Sequence, residues 1–240
     1  MMMVSDFHSH ILPKVDDGSS CVEESIEMLR LEAKHGVKRV VATPHFYANH
    51  DAVENFLERR EAAAKLLRME MARHTGMPQV VLGAEVHFFR GISESDILWD
   101  MAIEGTDCVL IEMPHTHWSD SMYQELVDIS EKRGMTPILA HVDRYISPIN
   151  THGILKRLEQ LPVLVQANGS FFLRKSTSTM AIRMLEKKQI HLLGSDCHSM
   201  HTRRPNLYEA TQVIRGKLGG IKIREIVTNE KMCFNKNVNI

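Results

Sequence analysis

Residues 4–13 read VSDFHSHILP, and this stretch decides between two common folds with parallel strands. Residues 4–7 predict a short buried strand that runs directly into His8, Ser9 and His10. A doubly wound nucleotide-binding fold would have a glycine-rich turn at this point. Neither G-x-G-x-x-G nor G-x-x-x-x-G-K-[ST] occurs anywhere in the chain. We therefore predict a closed barrel rather than an open doubly wound sheet.

Short apolar runs alternate with segments of helical spacing along the rest of the chain. The predicted strands are residues 4–7, 39–42, 79–82, 108–112, 137–140, 163–166 and 191–194. The predicted helices are 23–35, 51–73 with Asp51 as the N-cap, 120–132, 153–160, 177–188, 207–217, and one within 221–240 that ends in a frayed tail. This alternation predicts an α/β fold, a TIM-like (β/α)7 barrel, as a single domain over residues 1–240.

The composition excludes several classes of protein. The 240 residues carry 29 Lys and Arg against 30 Asp and Glu, a net charge of −1, so we expect no nucleic-acid partner. No apolar run is long enough for a membrane span or a secretory signal, and we expect a cytoplasmic protein without membrane insertion. The four cysteines lack C-x-x-C spacing, which argues against a disulfide framework or a zinc ribbon.

Side chains that bind metal ions follow six of the seven predicted strands. They are His8, His10, His45, Glu85, Glu112, His141, Asp196 and His198, and Asp17 lies in the first loop. The carboxyl ends of barrel strands share one face, so these side chains should converge. Five imidazoles and four carboxylates are too many for one ion, and we predict two or three divalent cations. Nitrogen and oxygen ligands without thiolate suit Mn²⁺, Fe²⁺ or Zn²⁺, with Co²⁺ and Mg²⁺ as further candidates.

Six motifs, in order along nearly the whole chain, resemble the PHP (polymerase and histidinol phosphatase) superfamily. They are DFHSHILPKVDDG from Asp6, ATPH from Ala42, GAEV from Gly83, IEMP from Ile111, AHVDRY from Ala140, and SDCH from Ser195 followed by RRP. More narrowly, the chain is similar to bacterial manganese-dependent phosphotyrosine phosphatases linked to capsule and exopolysaccharide synthesis. The resemblance implies a distorted (β/α)7 barrel, a site for three metal ions, and Mn²⁺ as the expected metal.

The same resemblance assigns the nine ligands to three metal sites. The first takes His8, His10, Glu85 and Asp196, the second shares Glu85 and adds Glu112 and His141, and the third takes Asp17, His45 and His198. Arg144 would face the phosphate, and Arg204 would add a second basic contact. The family's common H-P-E-R reads HVDR at residues 141–144, which keeps both the ligand and the arginine.

The reaction implied is hydrolysis of phosphotyrosine in a protein by a hydroxide that bridges the metal ions. Several cations together with Arg144 would neutralise the phosphoryl oxygens and lower the pKa of bound water from ~15.7 towards ~7. The tyrosine leaving group has a pKa of ~10 and needs little protonation, for which Asp143 is a candidate acid. The expected partner is the tyrosine-rich tail of a bacterial tyrosine kinase of polysaccharide synthesis, which the enzyme would regulate.

Several alternatives stay open. One is a phosphatase for histidinol phosphate or another small molecule, a second is a kinase-docking module without turnover, and a third is an exonuclease. Cys197 and Arg203 have the C-x₅-R spacing of cysteine-dependent phosphatases, although the residues between them include no glycine to form a phosphate cradle. Asp16 competes with Asp17 for one ligand position. Candidates for substrate contact are His87, His115, His117 and His201.

Overall fold

The computed structural model describes residues 4–146 and 151–235, with the backbone alone at residues 151 and 152. The strands are β1 (Asp6–Ser9), β2 (Arg39–Ala42), β3 (His45–Phe46), β4 (Gln79–Leu82), β5 (Glu85–His87), β6 (Cys108–Glu112), β7 (Thr136–Leu139), β8 (Leu164–Asn168) and β9 (Leu192–Gly194). The helices are α1 (Val22–Lys34), α2 (Val53–Met71), α3 (Leu98–Met101), α4 (Asp120–Arg133), α5 (Thr151–Leu158), α6 (Gly169–Leu173), α7 (Ser178–Glu186), α8 (Leu207–Leu218) and α9 (Gly220–Asn235). Two short 3₁₀ turns span Ile92–Glu94 and Val142–Arg144.

The strands form one curled parallel wall. β1, β2 and β4 make a three-stranded sheet, and β3, β5, β6, β7, β8 and β9 make a six-stranded sheet. β2 resumes after a break as β3, and β4 resumes as β5, so seven parallel strands follow one another in chain order. The wall closes where Ser9 bridges Cys197 and the His10 amide donates to the Cys197 carbonyl at 2.9 Å. The predicted (β/α)7 barrel is confirmed, and the two broken strands are its distortion.

The breaks in the second and third strands position two of the predicted ligands. Pro44 has no amide hydrogen, so it interrupts the hydrogen-bond ladder of its strand. The Glu85 amide donates to the Pro44 carbonyl at 3.0 Å, and pairing then resumes with His45 directly beside Glu85. These side chains are therefore neighbours at the carboxyl ends of adjacent strands.

Apolar side chains of α9 close the barrel at the amino ends of its strands. Phe7, Leu110 and Cys233 belong to one buried cluster in the barrel interior. The Phe234 ring lies 5.5 Å from that of Phe7, and the Arg39 guanidinium stacks 3.8 Å above Phe234. Because Arg39 begins β2, this plug lies at the amino ends of the strands. The polar side chains of the barrel therefore lie at the opposite end, where the strands have their carboxyl ends. None of the helices in the described ranges is both long and apolar enough to cross a membrane.

Strand prediction is accurate where the apolar runs are clear, and three predicted strands match β2, β4 and β6 residue for residue. β1 begins two residues later than predicted, because the Ser5 amide donates to Glu230 rather than to a strand.

The prediction of Asp51 as the N-cap of α2 is wrong. The helix begins after Ala52, and the Asp51 carboxylate accepts from Arg59 at 3.2 Å. The sequence did not predict β3, β5, α3 or α6, which are five residues or shorter. Residues 236–240 of the predicted tail lie outside the described residues.

Glu230 of α9 makes stability depend on pH. Its side chain is buried, and it accepts hydrogen bonds from the Ser5 amide and hydroxyl. Burial raises the pKa of Glu230 from 4.5 to about 8. Between these two values the folded protein holds a proton that the unfolded chain has lost, so the free energy of unfolding falls as pH rises. We expect a contribution on the order of 3 kcal/mol to be lost between about pH 5 and pH 8, measured by urea unfolding.

The comparison variant is Glu230→Gln, which cannot ionise and should remove this part of the pH dependence. Glu225→Gln, on a half-exposed position of the same helix, should leave it in place. Equal pH slopes for the wild type and Glu230→Gln would contradict the prediction.

Candidate metal centre

All nine predicted ligand residues lie at the carboxyl end of the barrel. His8 lies in β1 and His10 directly follows it, His45 and Glu85 begin β3 and β5, Glu112 ends β6, His141 follows β7, Asp196 and His198 follow β9, and Asp17 lies in the loop after β1. Eight of them are buried or nearly so, and Asp17 is 68% exposed at the rim. The structure therefore brings together side chains separated by as much as 190 residues.

Glu85 is the centre of this cluster. Its Oε2 lies 3.2 Å from His8 Nε2, 3.4 Å from His10 Nε2 and 2.9 Å from His45 Nδ1. Its Oε1 lies 2.8 Å from His141 Nε2. One carboxylate thus contacts imidazoles from three different strand ends, and it would be in reach of more than one cation held by them.

Two atoms at this centre show that the residues fit a metal. Glu85 Oε2 and His45 Nδ1 are buried, and neither makes a hydrogen bond of acceptable geometry with the described residues. Buried polar atoms are rarely left without partners, because desolvation then costs about 1–3 kcal/mol each. Nitrogen and oxygen lone pairs that converge without hydrogen-bonding one another are the arrangement a divalent cation requires.

Within residues 4–146 and 153–235, ligand atoms form three groups in which all members lie within 4.8 Å of one another. The groups are His8, His10 and Glu85; His10, Asp17, His45 and His198; and His45, Glu85 and Glu112. They resemble the three predicted sites, but His10 and His45 each belong to two groups. Asp196 Oδ1 lies 3.5 Å from His10 Nε2, and His141 Nε2 lies 3.3 Å from Glu112 Oε1, so both residues lie directly beside members of these groups.

The electrostatics of the cluster keep its carboxylates ionised. Burial alone would raise the pKa of Glu85, but the charge of His8 and the neighbouring imidazoles of His10 and His141 hold it well below the usual range. Burial is likewise outweighed at Glu112, where hydrogen bonds from His141 and His87 lower the pKa to about 2. Ionised carboxylates are the form that binds cations.

Asp16 and Asp17 have different positions. The Asp17 carboxylate lies 3.5 Å from His45 Nε2 and 3.4 Å from His198 Nε2, within a ligand group. Asp16 lies one layer behind and accepts from His10 Nδ1 at 2.6 Å and from the His45 amide at 2.9 Å. By fixing the tautomer of His10, Asp16 directs the other ring nitrogen towards the cluster. The geometry favours Asp17 as the ligand and Asp16 as the residue that orients one.

Sequence reasoning missed two polar residues of β8. Gln166 Oε1 lies 3.3 Å from His8 Nδ1 and accepts from the His141 amide at 2.6 Å. Asn168 Nδ2 donates to Asp196 at 2.9 Å. The signal was present in the sequence, because these two polar residues alternate with Ala167 at the end of an otherwise apolar strand.

Two arginines contact the cluster, and only one of them was predicted. Arg144 donates to Asp196 and lies 3.8 Å from Glu112. Arg203 lies 2.5 Å from Asp196 Oδ1, and its other terminal nitrogen is 3.0 Å from His198 Nε2. The predicted Arg204 is 62% exposed and lies 3.6 Å from Glu209 instead. The structure therefore brings Arg203, rather than Arg204, to the cluster.

Asp143 lies behind Arg144, in the 3₁₀ turn that follows His141. Its Oδ1 accepts from the Asn168 amide at 3.0 Å. Burial raises the pKa of Asp143, so this carboxyl keeps a proton to higher pH than an exposed one. Asp143, Arg144 and Arg203 line one cavity of about 330 Å³ beside Asp196.

The sequence profile of a family described as "Capsular polysaccharide synthesis, CpsB/CapC" matches residues 4–234. The chain belongs to the CpsB/CapC family. The family-level resemblance inferred from the motifs is thereby confirmed.

Named relatives of this CpsB/CapC chain cover nearly its whole length. The tyrosine-protein phosphatase YwqE of Bacillus subtilis is 29% identical over 219 residues, which are 89% of this chain and 85% of that protein. The tyrosine-protein phosphatase CpsB of Streptococcus agalactiae serotype III is 27% identical over 248 residues, 97% of this chain and 98% of that protein. A solved structure described among "YwqE from Bacillus subtilis and CpsB from Streptococcus pneumoniae, unique metal-dependent tyrosine phosphatases" superposes with a TM-score of 0.86 at 24% identity, covering 99% of this chain and 96% of that one.

The four histidines proposed for substrate contact are distributed around the centre of this CpsB/CapC barrel. His87 Nδ1 lies 3.0 Å from Glu112 Oε2, and it therefore supports a ligand. The His115 ring stacks 6.5 Å from that of His141, and His115 and His117 line a cavity of about 780 Å³. His201 is exposed in the loop after β9.

Cys197 is poorly placed to act as a nucleophile. Its side chain is fully buried, and burial raises the pKa of the thiol well above its usual value, so the thiolate is disfavoured. We expect Cys197→Ser to keep most of the phosphatase activity, and thiol alkylation to leave it in place, in a steady-state assay with an aryl phosphate. Loss of activity in Cys197→Ser, with metal content and circular dichroism unchanged, would favour the cysteine mechanism.

Proposed function

We propose that this chain is a metal-dependent tyrosine-protein phosphatase, and that residues 1–240 form the one domain that carries the activity. The observation that supports this most is the convergence of nine nitrogen and oxygen ligands next to two arginines. The negative charge of a phosphate monoester repels a nucleophile, so hydrolysis requires positive charge around the phosphoryl group. Metal ions held by the ligands would supply part of this charge, and the two arginines would supply the rest. The relatives named above as tyrosine-protein phosphatases extend the proposal to phosphotyrosine.

The roles of the metal ligands follow the predicted assignment. His8, His10, Asp17, His45, Glu85, Glu112, His141, Asp196 and His198 would hold two or three cations. We propose Mn²⁺, the metal that the family resemblance implies, and a set of imidazole and carboxylate ligands without thiolate suits it. When bound, the cations supply charge neutralisation and a water of lowered pKa.

The arginines and Asp143 would act on the substrate itself. Arg144 and Arg203 would bind phosphoryl oxygens through paired N–H donors, since a guanidinium matches the spacing of two such oxygens. Asp143 lies in the same cavity, and its raised pKa suits a group that delivers a proton to the ester oxygen. Phenolate leaves readily, so this proton matters less than it would for an alkyl ester.

The expected substrate is a tyrosine-phosphorylated protein. The family description, capsular polysaccharide synthesis, supports a finer proposal: the tyrosine-rich tail of a bacterial tyrosine kinase that acts in polysaccharide synthesis. We place the enzyme in the cytoplasm, where ATP-dependent kinases make phosphotyrosine.

The decisive experiment compares three substrates on one enzyme preparation. Metal-free protein is reloaded with Mn²⁺ and assayed with a phosphotyrosine peptide, a matched phosphoserine peptide and histidinol phosphate. We expect turnover of the phosphotyrosine peptide to be fastest, and excess chelator to abolish it. Faster turnover of histidinol phosphate would replace the protein substrate with a small molecule. No turnover of any substrate by the Mn²⁺-loaded protein would instead favour a docking module.

A further inference from the structure

Four arginines line the cavity of about 330 Å³ beside the metal centre: Arg144, Arg174, Arg203 and Arg204. Arg144 and Arg203 contact Asp196 and are assigned above to the phosphoryl group. Arg174 follows α6, and Arg204 lies in the loop before α8. The cavity therefore holds two more guanidinium groups than one phosphate requires.

The charges of this cavity are not balanced. Arg204 is 62% exposed and has only a long contact of 3.6 Å with Glu209. Arg174 is exposed, and no carboxylate of residues 4–146 or 153–235 forms an ion pair with it. The carboxylates that line the cavity are those of Asp143, Asp196 and Glu209, one fewer than its arginines. A positive excess adjoins the reactive centre.

The cavity on the other side of the centre has the opposite character. It measures about 530 Å³ and is lined by His45, Tyr47 and the acidic residues Asp16, Asp17 and Asp51. Its arginine, Arg59, is already paired with Asp51. An anionic group would therefore find exposed guanidinium groups on the arginine side, whereas the arginine of the second cavity is already paired.

We propose that Arg174 and Arg204 form a second anion site, which binds the carboxylate of an Asp or Glu close in sequence to the phosphotyrosine. The inference rests on the proposed function, because it is the phosphotyrosine held at Arg144 and Arg203 that places its neighbours. Arg174 and Arg204 are the exposed arginines of the cavity that also contains Arg144 and Arg203. Successive residues of an extended peptide advance by about 3.3–3.6 Å, so a residue one or two positions from the phosphotyrosine stays close to this cavity. The asymmetry of the two cavities makes the preference directional: the acid is favoured on one side of the phosphotyrosine only.

Binding, rather than turnover, tests this inference. Fluorescence anisotropy of the Mn²⁺-loaded full chain is measured with peptides that carry phosphonomethyl-phenylalanine, which mimics phosphotyrosine and is not hydrolysed. Three peptides carry Glu before the mimic, Glu after it, or Gln at both places. We expect one of the two Glu peptides to bind about tenfold more tightly than the Gln peptide, with the advantage reduced at high salt.

Variants locate the preference. Arg174→Gln combined with Arg204→Gln should reduce the ratio of the two dissociation constants to about one. Arg73→Gln makes the same charge change at a 74% exposed position of the loop after α2 and should keep the full ratio. Arg174→Glu should invert the preference, so that a Lys peptide binds more tightly than its Glu counterpart, which loss of structure alone would not produce.

Equal affinity of the wild type for all three peptides overturns the anion site, and so does a preference that persists in the double variant. Tight and selective binding without any phosphotyrosine turnover supports the anion site but overturns the proposed phosphatase activity. Failure of every mimic peptide to bind overturns both.

Discussion

We expect Glu85→Gln to lower kcat/KM for an aryl phosphate by at least about 10³-fold, because a neutral amide would hold cations far more weakly than the carboxylate. Glu85 Oε2 is the atom towards which three imidazole nitrogens converge, at 2.9 to 3.4 Å. Replacing this oxygen by an amide nitrogen would direct hydrogens at that position. We expect the loss in kcat to be accompanied by a fall in bound manganese, measured by elemental analysis of the purified variant.

The matched control is Glu58→Gln, the same change on the exposed face of α2. It should retain wild-type turnover and metal content. Circular dichroism of both variants shows whether the barrel is intact. A Glu85→Gln enzyme with full activity and full metal content would remove Glu85 from the centre of the site, and with it the assignment of the ligands around it.

We expect Arg203→Ala to lower kcat/KM by about 10²-fold, and Arg204→Ala to lower it by at most about tenfold. The physical reason is distance: Arg203 contacts Asp196 and His198, whereas Arg204 reaches only Glu209. Since each lost guanidinium removes donors from the phosphoryl group, the inhibition constant for inorganic phosphate should rise in Arg203→Ala. Steady-state kinetics with p-nitrophenyl phosphate and competition by phosphate measure both quantities.

Arg144→Ala should match Arg203→Ala, because both arginines contact the same aspartate. A larger loss in Arg204→Ala than in Arg203→Ala would contradict the structural assignment and restore the one inferred from the sequence.

The barrel was predictable because its evidence is local. Strands such as 39–42 and 108–112 are continuous apolar runs, as expected for strands covered on both faces, and their bounds match the structure. The absence of a glycine-rich turn after the first strand excluded the main alternative. The short elements β3 and β5 escaped prediction, because two or three residues carry no periodicity and their pairing depends on neighbours distant in sequence.

The sequence predicted which residues at the strand ends take part in the site, but it did not predict the contacts between them. Position after a strand brought eight of the nine ligand-type residues into one list, since the barrel places all such positions on one face, and Asp17 was added from the first loop. It did not show that His10 and His45 belong to two ligand groups each, or that Gln166 supports both His8 and His141. Those relations depend on side-chain directions across different strands.

The choice between sequence neighbours shows where prediction stopped. Asp16 and Asp17, like Arg203 and Arg204, are identical in type and adjacent in the chain, so no pattern of residues separates them. Asp17 lies among the ligand atoms, whereas Asp16 lies behind His10 and orients it. Arg203 contacts Asp196, whereas Arg204 contacts Glu209. The members of each pair differ because loop backbone conformation turns successive side chains in different directions. Spacing and residue type thus determined the barrel and the chemical kind of its site. Only the folded loops decided which oxygen or guanidinium reaches the centre, because that direction is set by contacts between strands far apart in the chain.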